Sequence, residues 1–138
     1  TAQSSQREPA MLNRFFLIPL CALFLSFGTS GAQAQGASYC GGRVAAKSFD
    51  SKIHSTGSTS QGIYFVQLQN RTVGSIKYAV RFTAPHVIEA QNGQVVFTME
   101  AMRSATIRLG TQNFNNPSGT GALSQADLQR YTQVTCSG

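Results

Sequence analysis

The chain has 138 residues, a formal net charge of +6, 41% hydrophobic residues, three cysteines and two histidines. That length suits one domain with a modest core once an amino-terminal leader is set aside. Cysteines without CxxC spacing, helped only by His54 and His86, argue against a zinc centre. Basic residues that are not run together with aromatics argue against a nucleic-acid binder.

Thr1–Ala10 is polar and unpatterned, and reads as an over-extended or non-native leader. Met11 opens a different segment. Arg14 supplies a positive region, Phe15–Phe27 is an almost unbroken apolar run, and Ala32-Gln33-Ala34 is a small-residue cleavage site. This order is that of a secretory signal peptide over residues 11–34. The run is shorter than the roughly 20 residues that a membrane-spanning helix needs. A lipoprotein reading through Cys21 is disfavoured, because Leu20 stands where a small residue is wanted. Cleavage after Ala34 predicts a single domain over residues 35–138, periplasmic or extracellular, with no stable membrane insertion after processing. That domain carries nine basic residues against four acidic ones, scattered along the chain.

Cys21 leaves with the leader, so Cys40 and Cys136 remain, one near each end of the domain. An even pair in an exported chain predicts a disulfide. Closing so long a loop removes unfolded-state freedom worth about 4–5 kcal/mol.

Val44–Ile53 predicts one or two short strands, with Phe49 and Ile53 in the core, and Gly57–Gly62 a Gly/Ser/Thr turn. The segment around which the chain is organised is Gln61–Pro85. Tyr64, Val66 and Leu68 share one face of a first strand, and Ile76, Tyr78, Val80 and Phe82 share one face of a second. Asn70–Ser75 between them has turn chemistry, which predicts a β-hairpin. Pro85 ends the second strand. Val87–Ala90 is a further short strand, and Asn92-Gly93 a hairpin signal. Gln94–Glu100 follows with Val95, Phe97 and Met99 on one face, then Ser104–Gly110 with Ala105, Ile107 and Leu109 inward. Thr111–Gly121 is a polar loop with Phe114 exposed. Ser124 and Asp127 have capping-box spacing for a short helix to about Tyr131, stapled by Leu123 and Leu128. Thr132–Cys136 is a terminal strand that returns Cys136 to Cys40.

Five to seven short strands with turn signals between them predict an all-β antiparallel sandwich with one short carboxy-terminal helix. The stretch VQLQNRTVGSIKYAVRFTAP followed by VVFTMEAMRSATIRLG resembles bacterial immunoglobulin-like periplasmic domains in its pattern of apolar positions. It is similar to pilus-chaperone and related adhesion or accessory domains. The likeness spans Val66–Gly110 and implies an immunoglobulin-like fold. Those chaperones hold a subunit's terminal carboxylate with a pair of basic residues. No such pair is placed in this chain, so chaperone activity is not carried over.

Catalysis has little support. Asp50 and His54 are four residues apart with serines nearby, but there is no strained nucleophile elbow. Glu89 and Glu100 show no pairing motif, there is no phosphate-binding glycine loop, and no cofactor is implied. Lys77, Arg81 and Arg108 all point away from the core. If their strands share a sheet, they form either a solvated face or a patch for anionic polysaccharide, lipid headgroups or an acidic protein. The leading expectation is an exported non-catalytic binding or accessory module in envelope or surface-fibre assembly, with a protein or an anionic envelope polymer as partner. The alternatives are a small secreted hydrolase or enzyme inhibitor, and a structural subunit that assembles by strand addition.

Overall fold

Period-two alternation governs most of the chain. The computed structural model describes residues 36–137; the expected leader, signal peptide and cleavage after Ala34 fall outside them. The strands are β1 (Ser38–Tyr39), β2 (Val44–Thr56), β3 (Thr59–Asn70), β4 (Ile76–Phe82), β5 (Asn92–Met99), β6 (Ser104–Phe114) and β7 (Thr132–Ser137), with one helix, α1 (Gln125–Tyr131). They form two antiparallel sheets. One has four strands in the order β1-β2-β3-β6, the other three in the order β5-β4-β7.

The inward faces are those expected. Tyr64, Val66, Leu68, Ile76, Tyr78, Val80 and Phe82 are all buried in one core, to which both sheets and Leu128 of α1 contribute. Tyr64 of β3 and Phe82 of β4 meet across it, with ring centroids 6.3 Å apart. The Tyr64 hydroxyl donates to Gln112 Oε1 at 2.6 Å and accepts from the Leu123 amide at 3.0 Å, so its burial leaves it fully paired.

The expected hairpin over Gln61–Pro85 is corrected. β3 and β4 belong to different sheets, and residues 71–75 carry the chain across the core. Both edges of β3 are already occupied along nearly its whole length, by β2 on one side and β6 on the other. β4 therefore buries its apolar face against β3 from the opposite sheet. The true hairpin is β2–β3. Gly57 and Ser58 form its two-residue turn, Thr56 pairs with Thr59, and Gly57 has φ +68°, the left-handed conformation such a turn favours. The low-complexity stretch up to Gly62 is thus mostly strand.

Other departures follow from packing between distant segments. Val44–Ile53 lies within one 13-residue strand, interrupted by a register shift between Ala46 and Ser48. Phe49 is buried, but Ile53 is 36% exposed. Phe114 is buried rather than exposed, because β6 extends to it and Gly62 makes room. A Cβ on Gly62 would stand 2.9 Å from Phe114 Cε2 and 3.1 Å from Ile53 Cδ1.

Val87–Ala90 is a single bridge rather than a strand. Ile88 and Thr111 exchange backbone bonds of 2.7 and 2.9 Å, and the Gln91 amide donates to the Leu109 carbonyl, so this segment covers part of the β6 edge. Asn92-Gly93 opens β5 instead of closing a two-residue hairpin; Asn92 Oδ1 accepts from the Gln94 amide at 3.0 Å. The register slips opposite Ala79–Arg81. Val95 is consequently exposed, while Phe97 packs on Tyr78 at 5.5 Å and Met99 is buried.

The carboxy-terminal segment matches its sequence signals. Ser124 and Asp127 form a reciprocal capping box, and Leu128 is buried beneath α1. Hydrogen bonds from Ser124 hold the Asp127 carboxyl below its ordinary value. β7 then pairs with β4 and brings Cys136 to Cys40. The two are disulfide-bonded, with Cα atoms 5.9 Å apart.

Candidate interaction surfaces

The three cations singled out from the sequence do not share a sheet. Lys77 and Arg81 stand on the solvent face of β4, in the three-stranded sheet, whereas Arg108 lies on β6 in the four-stranded one. Arg108 is also engaged: its guanidinium donates to Glu89 Oε2 at 2.9 Å and to Thr111 Oγ1. All three point outward, as the alternation indicates. Alternation says nothing about which sheet a strand joins, so the proposed single patch is divided.

Asp50 and His54 share the outward face of β2. Four residues of extended strand separate them by about 13 Å, too far for proton transfer between them. The Asp50 carboxylate accepts from Ser48 Oγ at 2.8 Å. His54 lies in a cross-strand row with Gln61 and Asn113. It borders a shallow cavity of about 310 Å³ lined also by Thr56, Ser60 and Phe114. Gln61 Nε2 donates to Asn113 Oδ1 there at 3.2 Å. The lining offers one imidazole with hydroxyls and amides and no carboxylate or thiol; the Ser60 hydroxyl donates to the Asn116 carbonyl at 2.6 Å rather than to His54. Among the described residues no cluster of three His, Cys, Asp or Glu side chains is placed to hold a metal ion, and no helix is long and apolar enough to cross a membrane.

The sheet edges differ in how they are covered. β2 is flanked at its start by β1, where the Ala46 amide donates to the Ala37 carbonyl, and β6 is flanked by residues 88–91. Beside β7, Cys40 Sγ lies 3.9 Å from the Val134 carbonyl oxygen, next to the disulfide. Among the described residues β5 pairs with β4 alone. Its sequence, NGQVVFTM, has no charge and no proline, and Val95 and Val96 are 52% and 61% exposed. Soluble proteins usually blunt an edge with lysine, proline or a covering segment. The missed signal was in plain view: this strand lacks the charged outward residues that mark β4 and β6.

A second feature is the end of the sheets where β3 stops and β4 and β6 start. Asn70 is fully buried there. Its Nδ2 lies within hydrogen-bond distance of the carbonyls of Gly74 (2.8 Å), Met99 and Glu100 (both 3.1 Å), and its Oδ1 accepts from the Thr72 amide at 2.9 Å. One amide thus ties the β3–β4 loop to the β5–β6 loop. The sequence signal was its spacing, since Asn70 continues the inward series Tyr64, Val66, Leu68.

Tyr39 is the counter-example among buried polar groups. Its hydroxyl is buried and lacks a hydrogen-bond partner among the described residues, and burial pushes the phenol up from 10.0 to about 12. A folded-state value above the unfolded one favours the fold below pH 10, a contribution lost as pH rises from about 10 to about 12. Tyr39→Phe is expected to raise stability by up to about 1 kcal/mol, since it removes an unpaired buried donor. It should also flatten the alkaline limb of a denaturation-versus-pH profile. A loss of stability in urea titrations would contradict this account.

No protein-family model matches the chain, and no curated protein or solved structure matches it significantly. The functional reading therefore rests on the surfaces themselves.

Proposed function

We propose that this chain is an exported, immunoglobulin-like β-sandwich that acts as a non-catalytic binding module, taking an extended segment of a partner protein onto the open edge of β5. The interlocked order supports the fold reading: β3 and β4 are successive in sequence but lie in opposite sheets, and each is flanked by a later strand, β6 and β7 respectively. The leader pattern and the disulfide support export. The observation that carries the binding role is the uncharged, uncovered edge of β5 with its two exposed valines. Strand addition there pairs the edge's unmatched backbone groups, and Val95 and Val96 give side-chain contact. Such a module belongs in envelope or surface-fibre assembly, where extended segments are passed between subunits.

The same edge suits a second reading, a structural subunit whose copies pair through β5. Site-specific photocrosslinking from Gln94, an exposed residue of the same strand, in the native compartment separates the two. A hetero-adduct supports the accessory module, and an adduct of twice the chain's mass supports the subunit. Val95→Lys and Val96→Lys should each abolish the adduct while shifting unfolding by less than about 0.5 kcal/mol, because both side chains are exposed. An adduct that survives both lysines, or one formed equally from Lys77 on the neighbouring strand, would exclude the β5 edge.

A further inference from the structure

The sheet end clamped by Asn70 gathers charge that the sequence scatters. The Arg71 amide donates to the Arg43 carbonyl, and the Asn70 amide to the Arg103 carbonyl, both at 2.8 Å, so three arginines sit on adjoining backbone at one end of the four-stranded sheet. All three are exposed. Arg43 donates through Nε to the Cys40 carbonyl at 3.1 Å. The ion pairs among the described residues are Arg108–Glu89 and Arg130–Asp127, so neither Arg71 nor Arg103 is neutralised by a carboxylate. Glu100 is the one acid in these loops. The same loops carry two apolar side chains that no core receives: Val73 is 97% exposed and Met102 is 58% exposed, the latter at φ +59°. These loops are held in place, since Asn70 ties them to each other and to β5.

We infer that this end docks on an anionic lipid bilayer, with Val73 and Met102 entering the headgroup–acyl boundary and Arg71 and Arg103 binding lipid phosphates. Like charges crowded together repel unless an anionic partner offsets them, and guanidinium groups bind phosphate oxygens in bidentate fashion. A soluble polyanion satisfies the arginines but offers nothing apolar to the two exposed side chains of the same loops; a bilayer receives both kinds. The opposite end, where β4 finishes and α1 begins, carries Glu89 and Asp127. Both acids are ion-paired, with Arg108 and Arg130, so that end presents no net negative charge, whereas Arg71 and Arg103 leave the loop end positive and turn it toward an anionic surface. This contact is separate from the β5 edge and does not depend on it.

The test is co-sedimentation with vesicles of phosphatidylcholine containing one-third phosphatidylglycerol, against pure phosphatidylcholine. Any leader is kept the same in every variant, so that differences report the loops. The protein is expected to partition onto the anionic vesicles at least tenfold more strongly. Each of Arg71→Gln and Arg103→Gln should reduce that partition about fivefold, roughly 1 kcal/mol per guanidinium. The double variant Val73→Ser/Met102→Ser should reduce it at least tenfold while leaving retention on a dextran sulfate column unchanged. All four side chains are exposed, so the unfolding midpoints should stay together, and they report on folding if they do not. Equal partition onto neutral and anionic vesicles would overturn the proposal. So would vesicle binding that the serine variant leaves intact, which would mark the end as a site for soluble polyanions or acidic proteins instead.

Discussion

Asn70→Asp is expected to destabilise the protein by about 4 kcal/mol or more at neutral pH, a large part of the 5–15 kcal/mol that holds a small domain together. The wild-type amide nitrogen faces the carbonyl oxygens of Gly74, Met99 and Glu100 at 2.8–3.1 Å in a fully buried site. A carboxylate in its place donates nothing and sets negative oxygen against those three carbonyls. Each buried polar group left unmatched costs about 1–3 kcal/mol, and an unpaired buried charge costs more. The sign of the pH dependence follows. Burial beside carbonyls raises the introduced carboxyl's folded-state value, so the loss should shrink as pH falls and the group gains a proton to donate. Asn70→Ala, which removes the bonds without adding charge, should fall between wild type and aspartate. Urea denaturation at pH 7 and pH 4.5 measures all three. An aspartate variant within about 0.5 kcal/mol of wild type at pH 7 would mean that this side chain does not hold the two loops.

Reduction of the Cys40–Cys136 bond is expected to remove about 4–5 kcal/mol, the chain-entropy value for a closed loop of this length. The residues are 96 apart in sequence, yet their Cα atoms are 5.9 Å apart. The bond ties the segment after β1 to β7, at the end where the arginines gather. β1 has only two residues, so this segment has few ladder bonds of its own to hold it. The double variant Cys40→Ser/Cys136→Ser should match the reduced protein in melting temperature, and thiol labelling of native protein should find neither cysteine reactive. Two accessible thiols in protein taken from its own compartment, or a melting temperature indifferent to reductant, would contradict the role given to the bond.

These two features differ in how far the sequence revealed them. The disulfide could be read by elimination, because the third cysteine lies inside an apolar leader pattern. Asn70 looked like turn chemistry, although its place in the inward series of β3 marked it as a buried side chain. The β5 edge was recognised as a strand but not as an uncovered one. That required knowing that residues 88–91 lie along β6 and leave β5 with β4 as its sole neighbour among the described residues.

The amino-acid sequence by itself determined most of the inward faces, though not the placement of Ile53, Val95 or Phe114, as well as where α1 begins and which cysteines pair. Alternation, a capping box and a count of thiols are properties of short segments or of composition, and no distant contact is needed to settle them. Only the tertiary structure decided which strands are neighbours. A strand's side chains declare its buried face, but its backbone hydrogen-bonding groups are alike at every residue and accept any partner of suitable register. Because β2 and β6 occupy both edges of β3, β4 crosses to the other sheet, and the hairpin that turn chemistry suggested does not form. The same crossing parts Arg108 from Lys77 and Arg81. It also brings Arg43, Arg71 and Arg103 together at one end, where the chain presents Val73 and Met102 to solvent.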